Sequence, residues 1–374
     1  MKPSGADAMQ ALSALAAKQA IAQNLAVHSR GIDRADADLI ASAYHADAQV
    51  DYGFFNGPAA ELAQILGAAQ KGQPITLHRP SNLWIKLDGS DQARSEAYVI
   101  AYTETAADTG DGRMQRLIFG RYLDRHRYRD GAWRLSHRTY VLDANLNWPG
   151  CYIPPAPAAD FSRFQPTGGQ GGGDPGNALL ALARASFRSS TQQEARMAPA
   201  QDQSQAALID DVLSKQALHE LLMAYCRGVD RTDADLLRST FHPDAQVITG
   251  VFNGGAMEFV DFIVALVRDQ LKYVFHSVAN EWFEIRGDDA LGESYAIALA
   301  TVDGPDGPVD VLTGGRYIDR FARRDGAWKI ASRSFVCDWT ISQSSSVQMN
   351  DGMYAALSLH GKNSMEDPVY AHWR

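Results

Sequence analysis

Apolar residues recur at three- and four-residue steps through Leu208, Ile209, Val212, Leu213, Leu218, Leu221 and Leu222, a spacing that predicts an amphipathic helix. Gly228 is expected to end it, as glycine commonly does. A second helix is predicted from about 232 to 241. A third, over about 257–270, carries Phe259, Phe262, Ile263, Leu266 and Val267 toward one side. The pattern then changes to strand-like runs at 277–285, 290–302, 309–323 and 328–338, separated by Gly-Asp, Asp-Gly or Gly-Pro turns. Helices followed by an antiparallel meander predict an α+β layer arrangement. A curved sheet closing over a helix would form a cone, and the mouth of a cone is a natural place for a small molecule.

The same order of signals occurs earlier in the chain. Gly31-Ile32-Asp33-Arg34-Ala35-Asp36-Ala37-Asp38-Leu39 returns as Gly228-Val229-Asp230-Arg231-Thr232-Asp233-Ala234-Asp235-Leu236. His45-Ala46-Asp47-Ala48-Gln49-Val50 returns as His242-Pro243-Asp244-Ala245-Gln246-Val247, and Phe55-Asn56-Gly57 as Phe252-Asn253-Gly254. Gly120-Arg121-Tyr122-Leu123-Asp124-Arg125 matches Gly315-Arg316-Tyr317-Ile318-Asp319-Arg320, and Asp130-Gly131-Ala132-Trp133 matches Asp325-Gly326-Ala327-Trp328. Two copies are too few for a solenoid, so each must be a self-sufficient domain. The expected division is a first domain over 1–158, a linker rich in Gly, Pro, Ala and Gln over 159–205, and a second domain with a C-terminal tail over 206–374. Glycine and proline at the density of 166–175 read as a tether, and 177–188 is apolar enough for a short helix within it.

A length of 374 residues accommodates two such domains with their own cores. The net charge of −9 is moderate and spread along the chain, with no basic stripe, so nucleic acid is not an expected partner. No apolar run reaches the ~18 residues needed to cross a bilayer, and the N-terminus does not read as a signal peptide. Cys151, Cys226 and Cys337 are odd in number and lack a C-x-x-C spacing. That argues against a disulfide framework or a cysteine-built zinc site and for a reducing cytoplasm.

Some candidate residues have ordinary structural explanations. Asp47, Asp244, Asp130 and Asp325 sit in turn-like settings, and Trp133 and Trp328 are most simply core. Asp33 and Asp230 fit a helix N-cap, with Asp36 or Asp233 three residues on in a capping-box-like pattern, or else a catalytic carboxylate. His78 and His276 follow the third helix and open a strand, each with an asparagine four residues later, Asn82 and Asn280. Arg138 and Arg333 lie on the last strand, on the opposite parity from the inward Trp133–Leu135 and Trp328–Ile330 positions. Either a bulge turns each arginine inward or it sits outside the pocket. Phe54, Phe55, Trp84, Tyr98, Phe252, Trp282 and Tyr295 are candidates for an aromatic wall, or ordinary core.

Gly228-Val229-Asp230-Arg231, His276-x-x-x-Asn280, and Arg316-Tyr317-x-Asp319-Arg320 followed by Asp325-Gly326-x-Trp328 together resemble the SnoaL-like, nuclear transport factor 2-like superfamily, over about 130 residues of each copy. The resemblance implies two tandem cone-shaped α+β barrels, each with N-terminal helices packed on a strongly curved, mostly antiparallel sheet. Among enzymes of this superfamily, hexachlorocyclohexane dehydrochlorinase carries an Asp–His dyad and an arginine that match Asp230, His276 and Arg333, and by the same positions Asp33, His78 and Arg138. Bile-acid 7α-dehydratase has a tyrosine five residues before the equivalent aspartate. Tyr225 stands there in the second copy and His28 in the first.

Elimination needs a base of near-neutral pKa, which histidine supplies. A carboxylate on its other ring nitrogen fixes the tautomer, and arginine or Tyr225 would meet a leaving group or an oxyanion. No metal or organic cofactor is expected. The reading is a cofactor-independent lyase removing water, halide or formaldehyde from an apolar, ring-bearing molecule, with lignin-derived aromatics implied by the resemblance. The alternatives are an isomerase or cyclase of steroid or polyketide type with Asp230 as base, and a non-catalytic binding or assembly module. Single-domain relatives pair through their sheets, so either an internal pseudo-dimer or a homo-oligomer is expected.

Overall fold

The computed structural model describes residues 5–73, 76–106, 113–150 and 205–374. The first copy starts with a long helix, α1 (Gly5–Asp33), and a short one, α2 (Ala37–Ser42). Strands β1 (Tyr44–Asp51) and β2 (Asn56–Pro58) precede α3 (Ala59–Gln70). Four long strands complete it: β3 (Leu77–Leu87), β4 (Gln92–Ala106), β5 (Arg113–Arg129) and β6 (Ala132–Gly150). The second copy repeats that order as α4 (Gln205–Asp230), α5 (Ala234–Ser239), β7 (Phe241–Ile248), β8 (Asn253–Gly255), α6 (Ala256–Gln270), β9 (Leu271–Arg286), β10 (Asp289–Gly304), β11 (Gly307–Arg324) and β12 (Ala327–Ser344). A tail with a 3-10 turn (Gly352–Ala356) and a last helix, α7 (Pro368–Trp373), completes the chain. The expected linker helix at 177–188 and Cys151 lie outside the described residues.

Each copy forms one open six-stranded sheet, ordered β2-β1-β6-β5-β4-β3 and β8-β7-β12-β11-β10-β9. The neighbours are antiparallel except β1 with β6 and β7 with β12, which run parallel. Strands β1 and β7 cover stretches whose aspartates suggested turns. Asp47 and Asp244 are instead exposed strand residues paired with Arg129 and Arg324 at 2.9 and 2.7 Å. The alternation of buried Ala48 and Val50 with exposed polar positions is too short to stand out in the sequence. Asp130 and Asp325 do turn, at φ 53°, with Gly131 and Gly326 also at positive φ. Two consecutive left-handed residues make the tight hairpins that join β5 to β6 and β11 to β12.

The helical reading needs one correction. Gly228 does not end its helix, which continues through Asp230. A side chain at Gly228 would come within 2.9 Å of Leu237 Cβ, and one at Gly31 within 2.8 Å of Ile40. These glycines let α5 and α2 close against the longer helices. The helices end at Asp33 and Asp230, and the chain reverses through left-handed Ala35 and Thr232 (both φ 51°). Asp36 and Asp233 then cap the short helices, accepting from Leu39 N and Leu236 N at 2.9 and 3.0 Å. Asp33 and Asp230 are therefore at helix C-termini, and their carboxylates are not used as N-caps.

Each sheet packs its concave side on its own helices, giving two apolar cores. A third cluster joins the copies, with Tyr98, Phe119, Ala144 and Leu146 of the first against Phe275 and Leu299 of the second. Around it Asn82 bridges the copies, donating to His276 O and accepting from Val278 N, both at 2.6 Å. The tail leaves the second copy and folds over the first, where Val369 is buried with Leu123 and Val141. Beneath it lies a buried charge cluster. Arg121 meets Glu96, Asp143 and Asp367, Arg231 meets Asp143 and Asp367, and Arg227 binds Glu96.

Candidate active site

The helix C-termini place two carboxylates against the starts of β3 and β9. In the first copy His78 Nδ1 lies 2.7 Å from Asp33 Oδ1, and the His78 backbone N–H donates to the same carboxylate at 3.0 Å. Thr76 Oγ1 adds a third donor at 3.0 Å. In the second copy the ring contact is 2.5 Å, again with the histidine's own N–H donating at 3.0 Å. One carboxylate thus grips both the backbone and the ring of one histidine, which fixes the ring and puts the proton on Nδ1. Nε2 is left as the basic nitrogen, and among the described residues nothing hydrogen-bonds it in either copy.

Burial divides the roles within each pair. The Asp230 side chain is fully buried while the His276 side chain keeps 20% exposure, and His78 keeps 16%. Burial pushes Asp230 up, but the charge of His276 and the hydrogen bonds from it outweigh that and hold the carboxyl below its ordinary range. It therefore stays ionised beside an imidazole that solutes can reach.

Two bulges decide where the arginines point. Register slips at Ser136, between the pairs Arg125–His137 and His126–Leu135, and at Ala331, between Arg320–Ser332 and Phe321–Ile330. The extra residue reverses the parity of the positions beyond it, so Arg138 and Arg333 turn inward and are buried. Each is held by the carboxylate directly opposite it on the neighbouring strand. Asp124 accepts from Arg138 Nε and Nη2 at 2.7 Å, and Asp319 from Arg333 at 2.8 and 2.6 Å. Sequence reasoning misses Asp124 and Asp319 as site residues. The Tyr-x-Asp spacing puts them on the same face as Tyr122 and Tyr317, and that period of two is the signal that could have found them.

The copies differ in what the arginine touches next. Arg138 Nη1 donates to His28 at 3.0 Å, and His28 Nε2 lies 3.1 Å from Tyr44 Oη. Burial, then Arg138 and His78, push His28 well below its usual range, so it is neutral and accepts from the arginine. In the second copy Tyr225 and Phe241 replace His28 and Tyr44. The Arg333 guanidinium lies 4.0 Å from the Tyr225 ring centre and 4.1 Å from that of Tyr317, and among the described residues no acceptor meets its Nη1. The helix that ends at Asp230 also carries Tyr225, five residues earlier, whose ring lies under Arg333. Tyr225 is pushed up by burial, with Arg333 opposing, and keeps its proton at neutral pH.

Phe55 and Phe252 pack against the cores that hold these groups. The other candidate wall residues go elsewhere. Tyr98 and Tyr295 occupy equivalent outward positions; Tyr98 is buried on Phe275 between the copies, while Tyr295 is 48% exposed. Trp84 lies under Arg227, 4.0 Å from the guanidinium carbon. Trp282 is 56% exposed, Phe54 is 45% exposed, and Asn280 is on the surface. Asn82 serves the junction between copies.

A model of the SnoaL-like domain matches the chain twice, over residues 13–139 and 210–334. No curated protein matches it. Similar solved structures include a hexachlorocyclohexane dehydrochlorinase of LinA type 3 from Novosphingobium barchaimii, 22% identical, covering 36% of this chain and 93% of its own, with a TM-score of 0.34. A Kribbella flavida protein is 16% identical over 35% of this chain and 95% of its own, with a TM-score of 0.33. A Mycobacterium tuberculosis protein of unknown function is 23% identical over 35% and 75%, with a TM-score of 0.31.

Proposed function

Because the chain belongs to the SnoaL-like family in both of its halves, we propose that it is a cofactor-independent lyase acting on an apolar, ring-bearing small molecule. The observation that carries this reading is the pairing of a partly accessible imidazole with a buried carboxylate, 2.5 Å apart at His276 and Asp230. His276 Nε2 takes a proton from the substrate. The released electron pair forms a double bond, and hydroxide or halide departs with the pair of the bond that breaks. Formaldehyde loss obeys the same plan when the proton comes from the hydroxyl of a hydroxymethyl group: the oxygen's electrons form the C=O of formaldehyde, those of the broken C–C bond form the alkene, and the leaving group departs with its bonding pair. Asp230 stabilises the imidazolium as it forms.

The second copy is the better equipped. Arg333 Nη1 is a buried cationic donor with no acceptor of its own among the described residues, suited to a developing anion. The Tyr225 hydroxyl supplies a proton to departing hydroxide. In the first copy the matching donor is already engaged by His28. Tyr225 meets the rings of Phe241 and Tyr317, and Tyr317 meets Phe335, an aromatic set that suits a flat apolar substrate, with lignin-derived aromatics as one class that fits.

The test is a panel of hydroxylated, halogenated and diaryl compounds, with products identified by mass spectrometry. On whichever compound turns over, His276→Ala is expected to lower turnover at least ~100-fold, the low end for losing a general base. Full activity in His276→Ala combined with His78→Ala would remove histidine chemistry from both halves. Saturable binding without turnover across the panel would favour a binding module instead.

A further inference from the structure

The two copies share a fold, so a cluster present in one and absent from the other is not required by that fold. Such a cluster lies on the outer face of the first sheet. A cleft of about 440 Å³ opens there between β4, β5, β6 and α7, and no dyad residue lines it. Its lining includes Arg94, Arg125, Arg127, Arg129 and Arg374 against a single carboxylate side chain, Asp88. Arg94 engages that carboxylate through Nε at 2.7 Å and Nη2 at 3.0 Å, and Arg129 turns to Asp47 at 2.9 Å. Among the described residues no carboxylate pairs with Arg125 or Arg127.

The strand register identifies the twin of each position. Opposite Arg125 and Arg127 on β4 stand Arg94 and Gln92, where the second copy has Leu291 and Asp289 facing Arg320 and Ala322. There Asp289 takes up Arg320 at 2.9 Å, so the twin position is neutralised. His126 and His137 correspond to Phe321 and Ser332. Phe321 fills the core, whereas His126 buries a polar ring at the same place, 1% exposed. On the α7 side of the cleft His372 Nε2 is a buried nitrogen with no hydrogen-bond partner among the described residues, whereas the His126 ring turns to the inner face, 2.8 Å from Ser95 Oγ. An unmet buried donor is costly unless something meets it.

We propose that this cleft binds a compact oxyanion of the phosphate class, with Arg125 and Arg127 as its principal charges and the buried His372 imidazole as a neutral donor. Several guanidinium groups within one concavity suit a multiply charged oxyanion better than a single carboxylate, because each arginine offers paired donors. The volume falls in the range of small-molecule sites, larger than inorganic phosphate needs, and leaves room for an organic group carrying the anion. Burial holds His372 down to about 4, so the positive charge at neutral pH comes from the arginines.

Calorimetric titration of the full chain with inorganic phosphate, phenyl phosphate and phenol tests this. Phenyl phosphate is expected to saturate one site and phenol none. Inorganic phosphate binding as well as phenyl phosphate identifies the bare anion as the ligand, and tighter phenyl phosphate binding identifies a phosphorylated small molecule. Arg127→Ala, which installs the second copy's residue, and Arg125→Gln are each expected to weaken binding ~10-fold or more. Arg320→Gln and His276→Ala should leave it unchanged, which separates this site from the dyads. Absence of saturable binding by either anion, or binding unaltered in both cleft variants, overturns the proposal.

Discussion

Asp367→Asn tests what fastens the tail to the first copy. Asp367 accepts from Arg121 Nη1 at 2.7 Å and Val369 N at 2.9 Å on one oxygen, and from Arg121 Nη2 at 2.7 Å and Lys362 N at 2.8 Å on the other. An asparagine must present its NH2 to one of those donor pairs, so two bonds to a charged or oriented donor are lost whichever way it turns. At ~1.5–3 kcal/mol for a bond involving a charge, and ~3–5 kcal/mol for stranding a buried partner charge, the expected cost is roughly 3–5 kcal/mol. For a domain of this size that lowers the melting temperature by about 6–20 °C. Adding Arg231→Met to Asp367→Asn removes the surplus cation and should return part of the loss. The acid limb should also flatten. Burial pushes the Asp367 carboxyl up, but Arg121 and Arg231 outweigh it and hold the group low. Its stabilisation is present above the unfolded carboxylate value and is lost as pH falls toward the folded one. A melting temperature within about 2 °C of the parent, below the shift expected from even 1 kcal/mol, would refute the idea that these charges hold the tail.

Three further outcomes are expected. Asp230→Asn should cut turnover by ~10²–10⁴ by releasing the tautomer and orientation of His276, with steady-state kinetics showing the loss in kcat. An effect confined to thermal stability would mean the carboxylate is only structural. Gly228→Ala should destabilise by ~1–3 kcal/mol in thermal melts, because its methyl group meets Leu237 at 2.9 Å; a stabilised variant would show that helix propensity dominates there. His126→Phe, measured in phosphate-free buffer, should remove a pH dependence. His126 is neutral when buried and is held down to about 4, so the unfolded chain binds its proton first. Stability from this group is complete above about pH 6.5 and falls by ~1.4 kcal/mol per unit toward pH 4. An unchanged slope between about pH 6.5 and 4 in the variant would contradict this.

The duplication, the helices-then-strands order and the residues that form the dyads are legible in the sequence, because each rests on a local repeat or on helical and strand periods. For the inward turn of Arg138 and Arg333 the sequence narrows the choice to two options and no further. A bulge at Ser136 or Ala331 depends on how two strands align, and neither strand records that alone. Gly228 misleads for a related reason. Its missing side chain serves the approach of Leu237, a contact between helices, and the sequence offers no sign to separate that from a helix stop. Tyr98 and Tyr295 show the limit most plainly. They are the same residue at the same position, yet one is buried and the other exposed, because the second copy covers the first sheet's outer face and has no reciprocal cover there.

The tail beyond β12 carries that asymmetry to the level of the gene. A coding sequence cut between the two copies would yield a front half missing Val369 and Trp373 over its Leu123 and Val141, and a back half whose Arg231 has lost Asp143. Neither product is an ancestral single unit. The duplicated parts have become components of one object, and the strip of chain after β12 is where they ceased to be interchangeable.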